Sequence, residues 1–208
     1  MARSPRAARG YLRYVAGVGV LAAAGTAFYS EAGAGDWEAL YGHLLARSMG
    51  WCALIALLLS LACSPLRRIL QRRPAMARHA IVAALPQMRR ALGMGSALLA
   101  AGHALVSLWG PLDGALPAVV TWPFLRTGLA ALVILALLFV TSFPRVNRAL
   151  RVRAFKSLHR LAHGAAILIL LHLTLGPHAP RETVVIIAVV YGALLALRLV
   201  PSPRGDGS

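Results

Sequence analysis

The sequence predicts an all-α integral membrane bundle of six transmembrane helices. Three observations carry that reading: an apolar composition, six apolar stretches of spanning length, and a regular alternation in the charge of the loops between them. Of 208 residues, 59% are hydrophobic and only 13% are Asp, Glu, Lys or Arg. A soluble domain uses about 25% charged residues to cover its surface. Mean hydropathy is +0.69, and a stretch such as 129–140 holds no charge at all.

The six stretches are 12–29, 40–62, 91–109, 119–142, 158–175 and 183–200. Each falls within the roughly 17–25 residues that cross a bilayer as a helix. Turn formers separate them: Gly33-Ala34-Gly35, Pro65, Pro86, Gly110-Pro111, Pro144 and Gly176-Pro177. The first stretch follows Arg3, Arg6 and Arg9 as a secretory signal would, but its length and the Phe28-Tyr29 pair predict an uncleaved helix. The loop 64–90 contains Ile81-Val82-Ala83-Ala84-Leu85, which predicts a short interfacial helix near anionic headgroups. The chain thus divides into a basic N-terminus (1–11), a six-helix transmembrane domain (12–200) and a tail (201–208).

A net charge of +16 and 22 Lys and Arg invite a nucleic-acid reading. The placement of the charges removes it. Arginines crowd the N-terminus, the loop 64–90, the loop 143–157 and the tail, whereas Glu31, Asp36, Glu38, Asp113 and Glu182 fall in the intervening loops. Basic loops face the cytoplasm, so both termini are expected there. Cys52 and Cys63 share one apolar stretch and read as small buried hydrophobes rather than a disulfide.

No Asp or Glu falls inside a predicted span, which argues against a proton-coupled transporter. The polar residues at membrane depth are mainly histidines: His103 in the third span and His159, His163 and His172 in the fifth. Imidazole is a common axial ligand of haem iron. Both helices run outward from the cytoplasm, which puts His103 about 18 Å in and His172 about 21 Å in. Matched depth predicts a bis-histidine haem bridging the two helices. His159 lies about 20 Å from His172 along the axis, where a second haem would complete an electron path. In an ideal helix those two point about 140° apart, and Arg89 and Arg90 stand where the third helix would need a second histidine. His163, one turn from His159, reads as ligand, supporting contact or interfacial group. His43, His79 and His178 lie near or beyond the membrane edges and read as solvated. Arg47 and Arg126, near the outer surface, are candidate partners for haem propionates, with snorkelling to headgroups as the alternative. Without a cofactor, the same histidines would simply bond between helices, or line the pathway of a haem-free transporter.

These residues resemble a known family. Arg89-Arg90-Ala91-Leu92-Gly93-Met94, running to Gly102-His103, is similar to the third helix of ferric-reductase-like transmembrane domains. Gly50-Trp51-Cys52-Ala53-Leu54, ending at Ser64-Pro65-Leu66-Arg67-Arg68, resembles the second helix of one bacterial branch. Trp122-Pro123-Phe124 with Gly128, Thr141-Ser142, and Ser157-Leu158-His159-Arg160-Leu161 with His172 thirteen residues on from His159 follow in the right order. That branch is the haem-binding membrane subunit of the periplasmic methionine-sulfoxide reductase system, and the resemblance covers roughly residues 40–200.

The resemblance implies one or two b-type haems, with His103, His159 and His172 on the family's histidine positions. It implies a multi-pass protein of the bacterial inner membrane. Electrons would come from a cytoplasmic flavin reductase or the quinone pool and pass to a periplasmic molybdenum-containing reductase; some members are also associated with FMN. His163 replaces a more usual aromatic and Trp122 a commoner basic residue, which puts the partner in question: a ferric-reductase-like carrier with another acceptor is the alternative. The 208 residues leave no room for the fused flavin and nicotinamide domains of the wider superfamily, so a separate hydride-accepting protein is expected.

The predicted orientation is checked with reporters fused after residue 208. Green fluorescent protein there is expected to fluoresce and alkaline phosphatase to stay inactive; the reverse pattern would invert the topology.

Overall fold

Residues 37–72, 80–150, 152–177 and 179–199 are described by the computed structural model. Their secondary structure is helical throughout: α1 (Trp37–Gln71), α2 (Ala80–Trp109), α3 (Leu116–Thr121), α4 (Pro123–Thr141), α5 (Pro144–Ala149), α6 (Val152–Leu175) and α7 (Arg181–Leu199). Among the described residues, four stretches are long and apolar enough to cross a bilayer: Gly42–Gln71, Ala80–Trp109, Pro123–Thr141 and Arg153–Leu175. The chain is a multi-pass membrane protein. The stretch 12–29, expected as the first crossing, lies outside the described residues, as do both termini and the Gly33-Ala34-Gly35 break. The sixth expected stretch coincides with α7, which has Arg181 and Glu182 at its start and Arg198 in its last turn.

Several boundaries differ from the sequence expectation. Pro65 and Pro86 do not end helices but lie inside α1 and α2. Residues 80–90, expected as part of a loop with its own interfacial helix, are the first turns of α2. An internal proline frees the carbonyl four residues earlier, and a membrane helix tolerates this where another donor satisfies that carbonyl. For Pro65 that carbonyl is Leu61, and the Arg198 guanidinium of α7 reaches it at 3.5 Å. The fourth span starts at Pro123 rather than 119: Trp122 before the proline is extended (φ −87°, ψ 124°), which separates α3 from α4. The expected breaks at Gly110-Pro111, Pro144 and Gly176-Pro177 do lie at helix ends.

α1 and α2 pack antiparallel along a seam of small residues. At one end Gly42 and Gly110 let the two backbones touch, so that a Cβ on Gly110 would sit 3.6 Å from the Cα of Gly42. Midway, the buried Ser96 hydroxyl donates to the Ala53 carbonyl at 2.8 Å. At the other end the Ser60 hydroxyl donates to the Arg89 carbonyl at 2.9 Å, and the Arg89 guanidinium donates to the Ser64 hydroxyl at 2.9 Å. Lipid tails are as apolar as leucine, so such close contacts and interhelical hydrogen bonds supply the attraction between helices.

A second antiparallel pair, α4 and α6, packs against the first. The core runs through both pairs: Leu57 and Leu61 of α1, Ala97 of α2, Leu135 and Leu138 of α4, Ala162, Ala165 and Ala166 of α6, and Tyr191 of α7. Outward-facing Leu105, Val133, Ile167 and Ile186 are exposed, as suits a lipid-facing surface. The basic helix ends gather together. Arg90 of α2 donates to the Ser142 carbonyl at the end of α4, and Arg68 of α1 donates to the Arg198 carbonyl at 3.1 Å. Alternating loop charge is thus met by a bundle with one basic end.

Arg198→Ala is expected to loosen α7 from α1 and lower stability by about 1 kcal/mol, the usual worth of one such bond. In a Pro65→Ala background the Leu61 carbonyl regains an intrahelical donor, and the same substitution should cost less; equal costs in thermal unfolding of the two backgrounds would refute the link between Pro65 and Arg198.

Candidate functional site

His103 of α2 and His172 of α6 meet in the half of the bundle away from the basic end. Their ring centres stand 6.3 Å apart with the planes at 80°. Each ring is tied to a carbonyl of its antiparallel neighbour: His103 Nδ1 lies 2.7 Å from the Ala46 oxygen of α1, and His172 Nδ1 lies 2.7 Å from the Phe124 oxygen of α4. A carbonyl oxygen only accepts, so both Nδ1 atoms carry the proton and donate it. That leaves Nε2 of each neutral ring with a lone pair, the form in which imidazole binds a metal. The Phe124 ring flanks His172 at 5.8 Å, and Trp122 stands 5.7 Å from Phe124.

The spacing suits one metal ion between the rings. Two imidazoles on opposite sides of an ion, bonded at about 2.0 Å with each ring centre about 1.1 Å behind its nitrogen, stand about 6.2 Å apart. A haem iron held from both faces needs that arrangement, with each ligand's second nitrogen hydrogen-bonded to fix its tautomer. The pair fits that group on spacing, tautomer and donor chemistry.

His159 lies elsewhere, on the wall of a cavity of about 270 Å³ at the basic end. Its Nδ1 donates to the Phe155 carbonyl one turn back, at 3.2 Å, and its ring packs on Phe155 at 4.0 Å. Arg67, Arg89 and Arg90 share the cavity wall, with Ser60, Ser64 and Ser142. Among its lining residues His159 is the one histidine, so a bis-histidine iron fits the outer pair and not this cavity. The sequence places Arg67, Arg89 and Arg90 in a basic inner loop that orients the chain or attracts a flavin phosphate or an anionic partner; α1 and α2 instead extend far enough to bring them to a shared cavity.

The structure separates the remaining candidates. His163 donates through Nδ1 to the Tyr191 hydroxyl of α7 at 3.0 Å, and that hydroxyl donates back to the His163 carbonyl at 3.3 Å. Arg47 and Arg126 are exposed, one residue beyond Ala46 and two beyond Phe124. His43 is exposed, as expected, and His79 and His178 lie outside the described residues. Both cysteines are free thiols, Cys63 buried and Cys52 half-buried. The reading from sequence missed Ala46, Phe124, Gly50 and Gly128. Both glycines stand in stretches that carry the family resemblance, each four residues after an acceptor carbonyl, but nothing local says that a neighbour's imidazole will lie there.

Comparison with known proteins agrees with this arrangement. The family model described as ferric reductase like transmembrane component matches residues 49–171, which include His103 and His159 and end one residue before His172. The protein-methionine-sulfoxide reductase heme-binding subunit of Deinococcus radiodurans is 34% identical over 178 residues, 81% of this chain and 83% of that one. Its counterpart in Bordetella pertussis is 33% identical over 161 residues, 76% of this chain and 72% of that one. The counterpart in Rhodospirillum rubrum is 40% identical over 86 residues, 41% of each chain. The chain belongs to the ferric-reductase-like transmembrane family, in the branch that holds these three relatives.

Proposed function

We propose that this chain is a membrane electron carrier that holds a b-type haem between His103 and His172. The observation that carries the reading is the pair of imidazoles 6.3 Å apart, each with Nδ1 committed to a helix carbonyl. Haem supplies one-electron chemistry that no side chain of a bundle offers. The residues around it hold and tune it: His103 and His172 bind from two helices, the Ala46 and Phe124 carbonyls raise ligand basicity, and the apolar core excludes water. Arg47 and Arg126, exposed and close in sequence to the acceptor residues, would pair with propionates at the outer edge in this reading.

The second part of the reading concerns the cavity at the basic end. One imidazole and three guanidinium groups suit a flat cofactor that carries negative charge, through propionates or a phosphate. A second haem with His159 as one ligand, or FMN, satisfies that chemistry. The volume of about 270 Å³ lies just below the range of about 300–1,000 Å³ for pockets that enclose drug-sized ligands, so its occupant must open the wall or project from it. His163, held by Tyr191, fastens α6 to α7 in this reading rather than binding iron.

The relatives are named as haem-binding subunits of protein-methionine-sulfoxide reductase, which supports the following route. The chain sits in a bacterial inner membrane with its basic end in the cytoplasm. It takes electrons from a flavin reductase or the quinone pool at that end and delivers them to a periplasmic molybdenum-containing methionine-sulfoxide reductase from the histidine-pair end.

The test is an absorbance spectrum of the detergent-purified chain, oxidised and dithionite-reduced, with haem counted per protein. A sharp reduced α-band of low-spin b haem is expected. It should be lost in His103→Ala and in His172→Ala, whereas His159→Ala should retain the outer centre. Full retention in both of the first two variants would remove the proposed site, and a colourless protein that takes up no added haem would favour a transporter.

A further inference from the structure

Side chains on a helix tilt toward its N-terminus, so the Cβ of a residue covers the turn before it, including the carbonyl four residues back. Gly50 follows Ala46 by four residues, and Gly128 follows Phe124 by four. Ala46 and Phe124 are the two carbonyls that receive His103 and His172. The same device therefore occurs twice, on two helices that differ in sequence.

We propose that Gly50 and Gly128 are positioning residues of the histidine pair: each leaves a helix carbonyl uncovered, so that the neighbouring helix's imidazole seats on it with Nδ1–H bonded and Nε2 held for the metal. The seating rests on geometry alone; its redox consequence rests on the haem reading above.

The clearances are specific. A Cβ at Gly50 would lie 3.1 Å from His103 Nδ1 and 3.3 Å from its Cε1. A Cβ at Gly128 would lie 2.8 Å from His172 Nδ1 and 3.0 Å from its Cε1. The first is a tight contact that a small displacement relieves. The second is closer than carbon atoms of side chains come, so the ring must leave its seat. Gly164 and Gly192 carry no such demand: a Cβ at Gly164 meets only Ile134 at 3.9 Å, and one at Gly192 meets nothing within 4 Å. Gly102, Gly110 and Gly176 are also tight, but against the Met49 side chain and the Val106 and His172 carbonyls, not against an imidazole ring. Lengthening either 2.7 Å bond weakens the donation that makes the imidazole an electron-rich ligand, which disfavours ferric iron and raises the midpoint potential.

The experiment compares the full chain with Gly50→Ala, Gly128→Ala and the control Gly192→Ala in detergent. In haem-free protein, ¹⁵N spectra of labelled histidine report which ring nitrogen carries the proton and whether it is hydrogen-bonded. In haem-loaded protein, redox titration and the low-spin bands report on the iron. Gly50→Ala is expected to keep the haem at a more positive potential, and Gly128→Ala to lose most of its low-spin signature, with Gly192→Ala matching the parent. In the haem-free samples the Nδ1–H signals of His103 and His172 should weaken in their respective variants. Parental nitrogen signals in both Gly50→Ala and Gly128→Ala would overturn the proposal, as would an equal change in Gly192→Ala. If Gly128→Ala does not fold, Gly50→Ala decides by the same criteria. A parent chain that takes up no haem would sink the haem reading, while the nitrogen signals would still decide the seating.

Discussion

An imidazole N–H in hydrocarbon must find an acceptor, because leaving it unpaired costs several times what the bond itself contributes. In a membrane helix nearly every carbonyl is already engaged and covered by side chains. His103 and His172 solve this by bonding to the Ala46 and Phe124 carbonyls of their antiparallel neighbours at 2.7 Å. These two bonds tie α2 to α1 and α6 to α4. They also orient the rings, so that when the two helix pairs pack through Leu57, Leu61, Leu135 and Ala165 the imidazoles come within 6.3 Å of each other. The site is a consequence of how each hairpin satisfies one polar group.

The two ends of the bundle are built on different physics. The end with the histidine pair is lined by the Phe124 and Trp122 rings and by the half-buried backbones of Gly50 and Gly128. The other end collects arginines, and its helices are held by side chains that reach carbonyls: Arg198 on Leu61, Arg90 on Ser142, Ser60 on Arg89. His159 stands at that polar end, about 20 Å along α6 from His172. A chain with a histidine pair toward one face and an anion-suited cavity toward the other has the layout that the proposed transmembrane electron path needs.

The membrane class, the helical fold and the pairing of His103 with His172 were legible in the sequence because they rest on invariants: span length, loop charge and the fixed rise of a helix. Helix limits were less legible. Pro65 and Pro86 looked like breaks, since the compensating donor at Leu61 comes from Arg198, 137 residues away. For the same reason Arg89 and Arg90 read as loop residues, although α2 begins nine residues before Arg89. The glycine seats were invisible from one strand of evidence alone, because Gly50 and Gly128 gain meaning only when a second helix places an imidazole on the carbonyl four residues back. The partner of His159 could not be named from sequence, and the structure answers with arginines rather than a second histidine.

The central claim is that His103 and His172 share one iron, and electron paramagnetic resonance of the oxidised, haem-loaded chain tests it most directly. His103 and His172, with ring planes at 80°, would hold a bound iron between nearly perpendicular imidazoles, an arrangement that would leave its two dπ orbitals close in energy. The account predicts a highly anisotropic low-spin ferric signal with a single large g value, absent from His103→Ala and His172→Ala. The absence of any low-spin signal, or a low-spin signal that survives both substitutions, would contradict it.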